Sequence, residues 1–269
     1  MMFDPASFLE RLDRCAVMGI VNITGDSFSE GPASAPESAE RRAFALFEAG
    51  ADILDLGAES TRPGSREVLP DEECARLLPV LDRLRAALPE TVISIDTRHG
   101  ETARRALESG ADIINDVSMG ADPALLEAVG RKGASLVLCH ARGTPDTMQS
   151  PQYTSYPAGV RLTVTAELEA AREKAVSAGV APEKIIFDPG IGFAKTAEQC
   201  RTLIAEAALF DPRYIWLWGI SRKSFIGGDV SARGPETLRL ECQLAAAGAA
   251  VIRTHDVRAL RTALQNRER

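Results

Sequence analysis

The sequence predicts a single-domain α/β protein of the (β/α)8 TIM-barrel class over residues 1–269. Three observations predict it. Eight short apolar runs recur along the chain, amphipathic segments separate them, and nearly every run ends in, or just before, a residue able to bind or catalyse. In such a barrel the site is built at the C-terminal ends of the parallel strands, so eight polar endings in succession describe one mouth. The length of 269 residues lies near the ~250 typical of the fold.

Taken in order, Val17–Ile23 carries Asn22, and Ile53–Leu56 carries Asp55 and leads to Glu59. Val92–Ile95 runs into Asp96, and Ile113–Ile114 runs into Asn115 and Asp116. Leu136–Leu138 precedes His140, and Ile185–Phe187 precedes Asp188. Ile215–Leu217 leads to Ser221-Arg-Lys-Ser224, and Val251–Ile252 leads to Arg253 and His255. Between the runs, Asp71–Ala87 and Thr102–Ser109 space their apolar residues as helices do. A weak echo sets the frame: Glu48-Ala-Gly-Ala-Asp-Ile-Leu, Glu108-Ser-Gly-Ala-Asp-Ile-Ile and Ala246-Ala-Gly-Ala-Ala-Val-Ile. Each reads as a helix ending at a left-handed glycine, with a buried strand about three residues later. Strand–helix alternation demands a parallel sheet. An open doubly wound sheet also alternates, but it gathers ligand groups at its switch point rather than on every strand. The connections Thr24–Ser38, Gly57–Pro70 and Ala141–Gly159 are rich in Gly and Pro. Loops longer than ~12 residues in a compact domain are usually functional, and these three overhang one mouth.

Hydrophobic content of 45% and charged content of 26% describe a soluble globular chain with no apolar stretch near the ~20 residues that span a bilayer. The opening residues lack a basic region and an apolar core, so a cytoplasmic location without membrane association is expected. A net charge of -7 argues against nucleic acid as a partner, so an anionic ligand needs a local cationic cluster. Cys15, Cys74, Cys139, Cys200 and Cys242 form no C-x-x-C pair, and His99, His140 and His255 are the only imidazoles. A disulfide framework, a zinc site and a multi-His centre therefore have little support.

Asp96, Asn115 and Asp188 should project from the tops of strands three, four and six. A planar heterocycle with alternating donors and acceptors needs such partners, because carboxylates accept from N–H edges and an amide plays both roles. Each of these residues, taken alone, also reads as a helix cap, Asp96-Thr97 in particular. Arg62, Arg222, Lys223, Arg253 and His255 stand at the tops of strands two, seven and eight, with Ser224 and Gly227-Gly228 alongside. Loops after the last two strands of a barrel often hold phosphate, which makes phosphate or diphosphate the natural ligand. The competing reading is a solvated charge run, which poorly explains why Arg222-Lys223 follows Trp216-Leu-Trp-Gly-Ile. Cys139 beside His140 suggests a nucleophilic dyad, but neighbours on a strand point to opposite faces, so Cys139 reads better as a wall of the pocket or core.

Several motifs carry a family resemblance: Met18-Gly-Ile-Val-Asn-Ile-Thr-Gly-Asp-Ser-Phe-Ser, Asp55-Leu-Gly-Ala-Glu-Ser-Thr-Arg-Pro-Gly, Ile95-Asp-Thr and Ile114-Asn-Asp-Val. Arg142-Gly-Thr-Pro-Asp-Thr-Met-Gln, Phe187-Asp-Pro-Gly-Ile-Gly-Phe-Ala-Lys-Thr, Gly219-Ile-Ser-Arg-Lys-Ser-Phe-Ile-Gly and Arg253-Thr-His-Asp-Val complete the set. Together, from Met18 to Val257, the chain resembles the dihydropteroate synthases, and the segments starting at Glu59 and Ser221 are the most specific. The resemblance implies an enzyme of folate synthesis, a transferase that joins 4-aminobenzoate to 6-hydroxymethyl-7,8-dihydropterin diphosphate and releases diphosphate. It implies pterin on Asp96, Asn115, Asp188 and Lys223, with Asp96, Asp188 and Lys223 catalytic. It assigns diphosphate to Asn22, Arg253 and His255, with Mg2+ on Asn22. The aminobenzoate pocket is implied at Thr61, Arg62, Pro63, Phe193, Lys223 and Ser224, a lid at Asp26 and Phe28, and a homodimer as the assembly. Gly25, Ala58, Cys139, Ala141, Ala194 and Cys200 depart from the usual family residues, but none removes a charged candidate. A pterin-dependent methyltransferase module shares the acid–amide–acid set but needs neither of the two specific segments. A Schiff-base aldolase using Lys223 and an idle relative that only binds pterin also fit parts of the pattern.

Overall fold

Eight parallel strands close on themselves in chain order in the computed structural model, which describes residues 3–23, 35–59 and 68–266. The strands are β1 (Ala16–Asn22), β2 (Ile53–Gly57), β3 (Val92–Asp96), β4 (Ile113–Asp116), β5 (Ser135–Cys139), β6 (Ile185–Asp188), β7 (Ile215–Gly219) and β8 (Val251–Thr254). Around and between them run helices α1 (Pro5–Leu12), α2 (Ala35–Glu48), α3 (Pro70–Ala87), α4 (Gly100–Glu108) and α5 (Pro123–Lys132). The helical layer continues with α6 (Val160–Ser177), α7 (Ala197–Ala205), α8 (Gly234–Ala246) and α9 (Val257–Gln265). The expected barrel is therefore present. Most strands run one or two residues beyond their apolar segments, because the polar end residues still pair: Asp96 faces Asn115, Cys139 faces Asp188, and Gly219 faces Arg253.

The two-residue period of a strand sorts each apolar run into two layers. Ala16, Met18, Ile53, Ile113, Val137, Ile186, Leu217 and Val251 fill the barrel interior, while Val17, Leu54, Ile93, Ile114, Leu136, Phe187, Trp216 and Ile252 pack outward with the helices. The interior layer fixes the phase of the strands, and on five of them the next inward position belongs to the mouth. Ile53 is followed in phase by Asp55, Ile113 by Asn115, Val137 by Cys139, Ile186 by Asp188 and Val251 by Arg253. At the opposite end α1 covers the interior, with Phe3, Phe8, Leu9 and Leu12 packed on the inner layer. Asp4 caps that helix by accepting from the Ser7 N–H at 2.9 Å.

The three echoed segments end their helices alike. Gly50, Gly110 and Gly248 take φ of 94°, 95° and 94°, the left-handed conformation that a side chain disfavours. In the first two the following aspartate has a second task. The Asp52 amide donates to the Val17 carbonyl, while its carboxylate accepts from the Val17 N–H at 2.8 Å. Asp112 grips Ile93 in the same way, at 2.9 Å. Arg14 and Arg261 bind the Asp52 carboxylate, and Arg85 binds that of Asp112. Burial works against ionisation of Asp52, but the bonds from Arg14 and Val17 and the Arg261 charge hold it below the usual carboxylate range.

Removing one partner of a buried ion pair leaves the other uncompensated, so Asp52→Ala is expected to cost about 2–4 kcal/mol. Asp112→Ala should cost less, because its side chain is 26% exposed against 9% for Asp52. Urea unfolding of the two variants checks the order.

Candidate active site

Five inward-phase residues converge at the C-terminal mouth. Arg253 lies between two carboxylates, donating from Nε to Asp55 and from Nη2 to Asp96, each at 2.6 Å. Asn115 Nδ2 donates to the same Asp55 carboxylate at 3.3 Å. A carboxylate only accepts, so the amide must face it with its nitrogen. That leaves Asn115 Oδ1 as a buried acceptor with no partner among the described residues. Asp188 is 6% exposed and accepts from the Gly190 N–H at 2.7 Å. Lys223, reaching in from beyond β7, donates its ammonium to the Ile191 carbonyl, with Nζ 4.7 Å from the Phe193 ring centroid.

The slot gathers three carboxyl groups and two cationic side chains. Burial pushes the Asp96 carboxyl up to about 7; Arg253 pulls against that rise and Asp55 adds to it. Burial also lifts Asp188, opposed by Lys223, and draws the Lys223 ammonium down, opposed by Asp188. Asp55, Asp96 and Asp188 stand against Arg253 and Lys223, and a carboxylate in its ionised form there favours a cation developing on a ligand.

Several expected site residues are thus brought together: Asp96, Asn115, Asp188, Lys223 and Arg253, with Phe193 at the edge. Asp96 does not cap α4; its partner is Arg253, and the start of α4 is held by Asp122, which accepts from the Gly100 N–H at 2.7 Å. Asn22 is exposed at the end of β1. His255 Nδ1 lies 2.9 Å from Ser221 Oγ, and Ser224 is exposed at the start of a short 3-10 turn, Ser224–Ile226. Arg222 adopts a left-handed φ of 59° and is exposed beside this turn. Asp26, Phe28, Thr61, Arg62 and Pro63 lie outside the described residues, as does Gly25.

Three strand-end residues turn away from the mouth. Asp116, one residue out of phase with Asn115, accepts from the Ser118 N–H at 2.8 Å and shapes the following turn. Glu59 accepts from Arg98 Nε and Nη2, both at 3.0 Å, and from the Val68 N–H at 3.1 Å, bridging the ends of the β2–α3 connection. Despite burial, the His99 and Arg98 bonds hold its carboxyl at about 2. His140 is fully buried and faces the helices, so it forms no dyad with Cys139.

The His140 environment is the part that sequence reasoning missed. His140 Nε2 lies 2.9 Å from Glu167 on α6, which is also held by Arg142, itself stacked 4.2 Å over Tyr156. Burial opposes ionisation of Glu167, yet the His140 and Arg142 bonds hold it at about 2, so it accepts and Nε2 donates. Nδ1 is then the acceptor for Lys195 Nζ, at 2.8 Å. Burial, followed by the charge of Lys195, draws His140 down to about 4. Lys195 appears in the sequence only as one polar residue in a glycine-rich motif, and Glu167 as one of several acids on an amphipathic helix. Asp55 was visible at its strand end, but its hold on Arg253 and Asn115 depends on pairs 198 and 60 residues apart.

Residues 18–255 match the family described as pterin binding enzyme. The dihydropteroate synthase of a Synechocystis species is 41% identical over 92% of this chain and 87% of its own length. The chain belongs to the dihydropteroate synthase family of pterin-binding enzymes. Among solved members, the Xanthomonas albilineans synthase with 4-aminobenzoic acid superposes with a TM-score of 0.86 at 35% identity, covering 96% of this chain and 93% of that one. The Burkholderia cenocepacia synthase complexed with 7,8-dihydropteroate gives a TM-score of 0.84 at 35% identity, covering 96% and 91%.

Above its ordinary value of 6.5 His140 is neutral whether the chain is folded or not, and its folded value is about 4. Its contribution to stability is therefore intact above about pH 6.5 and is lost as pH falls toward 4, because the unfolded ring takes up the proton first. His140→Gln, which keeps one donor and one acceptor, should flatten that part of the curve of urea midpoint against pH.

Proposed function

We propose that the slot ringed by Asp96, Asn115, Asp188 and Lys223 takes the pterin, and that this chain carries out the dihydropteroate synthase reaction there. The bond formed joins the aminobenzoate nitrogen to the pterin methylene, and the bond broken is that between the methylene and the diphosphate oxygen. The observation that carries this reading is the buried acceptor Asn115 Oδ1, which Asp55 leaves without a partner among the described residues by taking the amide nitrogen. An unsatisfied buried acceptor costs about 1–3 kcal/mol, which an N–H of the pterin edge recovers.

The assigned roles follow from these positions. Asp188 opposes the positive charge that develops on the methylene, Asp96 and Asn115 orient the ring, and Lys223 lies between pterin and aminobenzoate. Arg253 has two of its five N–H groups committed to Asp55 and Asp96, leaving others to meet diphosphate together with Asn22 and His255. Phe193 and Ser224, with Thr61, Arg62 and Pro63, wall the aminobenzoate pocket, and Asp26 and Phe28 belong to its lid. The arylamine is neutral at pH 7, so its attack needs no strong general base.

Mg2+ binds few protein oxygens when substrate phosphates supply the rest. Asn22 offers one amide oxygen at the exposed end of β1, and the described residues contain no cluster of three His, Cys, Asp or Glu that would enclose a metal. That donor set fits a magnesium ion carried mainly by diphosphate and held by Asn22, where it would draw charge from the leaving group. None of the helices among the described residues is long and apolar enough to cross a membrane. We take residues 1–269 as one catalytic domain acting in the cytoplasm as a homodimer on small-molecule substrates.

Mixing the protein with the pterin diphosphate, 4-aminobenzoate and Mg2+ should release diphosphate; no release from folded protein would leave a pterin binder without turnover. Asp188→Asn keeps shape and removes one charge, and is expected to lower kcat at least ~10-fold while preserving the thermal midpoint. Wild-type turnover in that variant would refute the role given to Asp188.

A further inference from the structure

One layer behind the mouth lies a second buried amine that the proposed chemistry does not use. After β6 the chain folds back tightly on the end of β5: Gly190 takes φ of 67°, and a Cβ there would lie 1.9 Å from the His140 carbonyl oxygen. Lys195, 3% exposed, closes this loop from within. Its Nζ lies 2.8 Å from His140 Nδ1 and 3.0 Å from the carbonyl oxygens of both Gly190 and Phe193. A protonated amine has three N–H groups, and here three acceptors meet them. Between the two anchored carbonyls lies that of Ile191, which accepts from Lys223, and the Phe193 ring lies against the same ammonium.

We propose that Lys195 is a positioning residue for the aminobenzoate pocket: by tying the 190–193 backbone to His140, it sets where the Lys223 ammonium and the Phe193 ring meet 4-aminobenzoate. The inference rests on the assignment of Lys223 and Phe193 to that pocket. The anchor reaches α6, because His140 is oriented by Glu167 and Glu167 by Arg142. It also depends on one proton. A neutral amine has only two N–H groups, so deprotonated Lys195 must release one of its three acceptors.

The groups facing this amine are His140 and Cys139 at the end of β5, Asp188 on β6, Cys200 on α7 and Lys223 beyond β7, with Glu167 of α6 behind the imidazole. Burial dominates and, with the like charge of Lys223, draws Lys195 down to about 7, against the opposing charge of Asp188. Burial raises both thiols, so they stay protonated around neutrality. The anchor is complete below that pH and loosens as pH rises through it. Neither ionisable group of 4-aminobenzoate titrates there, so a change in its affinity reports on the protein.

Lys195→Met keeps the length of the side chain and removes the donors. We expect the KM for 4-aminobenzoate to rise at least ~10-fold, with the KM for the pterin diphosphate within ~2-fold and kcat at saturation within ~3-fold. In the wild type the aminobenzoate KM should rise between about pH 6 and pH 9, and the part of that rise tracked by the His140 nitrogens should be lost in the variant. Nitrogen-15 spectra resolve the imidazoles of a chain with three histidines. His140 should report a proton on Nε2 in both proteins, held there by Glu167, while its Nδ1 resonance shifts in Lys195→Met as that nitrogen loses its donor. A folded Lys195→Met protein with unchanged aminobenzoate KM and unchanged His140 nitrogens overturns the proposal. If the variant does not fold, the wild-type pH series decides: a flat aminobenzoate KM overturns it, and a rise tracked by the His140 nitrogens supports it. Lys223→Ala separates the two assignments. If it leaves the aminobenzoate KM unchanged while Lys195→Met still shifts the His140 nitrogens, the pocket assignment has failed; if it raises KM while Lys195→Met changes nothing, the positioning role has failed.

Discussion

The mouth of this barrel depends on one guanidinium held between two carboxylates. Asp55 is fully buried and Asp96 partly so; without Arg253 the strand tops would bring uncompensated negative charge together. Removing one member of such a set costs about 3–5 kcal/mol, because the others remain buried and unpaired. The same pair of bonds fixes the direction of Asp55, and Asp55 in turn fixes the direction of Asn115. A long-range ion pair between β8 and the β2–β3 strands therefore decides which face of an amide is shown to a ligand on β4. The order of dependence runs from charge to geometry to recognition.

Much of this was legible in the sequence, for a physical reason. A barrel strand buried on both faces shows no apolar–polar alternation until its last residues, where the inner face meets solvent or ligand, so each apolar run ends where the site begins. Phase is what the runs alone do not reveal. Asn115 and Asp116 are equally polar neighbours, yet one enters the slot and the other shapes a turn, as the inner layer through Ile113 dictates. His140 likewise reads as a strand-end candidate and lies on the far side of the wall. Lys195 and Glu167 escape such reading because their partners are distant in sequence and their burial is a property of packed layers.

Two of the departures from family pattern, Ala194 and Cys139, fall where the framework absorbs them. Ala194 holds a left-handed φ of 48°, a conformation costing a non-glycine residue about 1–2 kcal/mol, yet its methyl is fully buried and its carbonyl is fixed by the Tyr156 hydroxyl at 2.9 Å. Burial of a methyl contributes about 0.8 kcal/mol, so packing offsets roughly half of the strain. Cys139 is buried beside Asp188 with its thiol pushed well above the usual range, a small apolar wall rather than a nucleophile. Neither residue alters the charges of the slot.

The aspartate grips at the base of the barrel also bear on how the chain finds its fold. Asp112 joins Ile93 across 19 residues and Asp52 joins Val17 across 35, so each closes a small loop whose entropy cost is modest. Arg261 reaches Asp52 across 209 residues. The carboxylate that first stitches together neighbouring strands thus becomes the anchor for the last helix, and that contact forms only when β8 has docked beside β1. By contact order the slow step of folding is expected at barrel closure, which these chain-spanning contacts require, rather than in the locally paired early units.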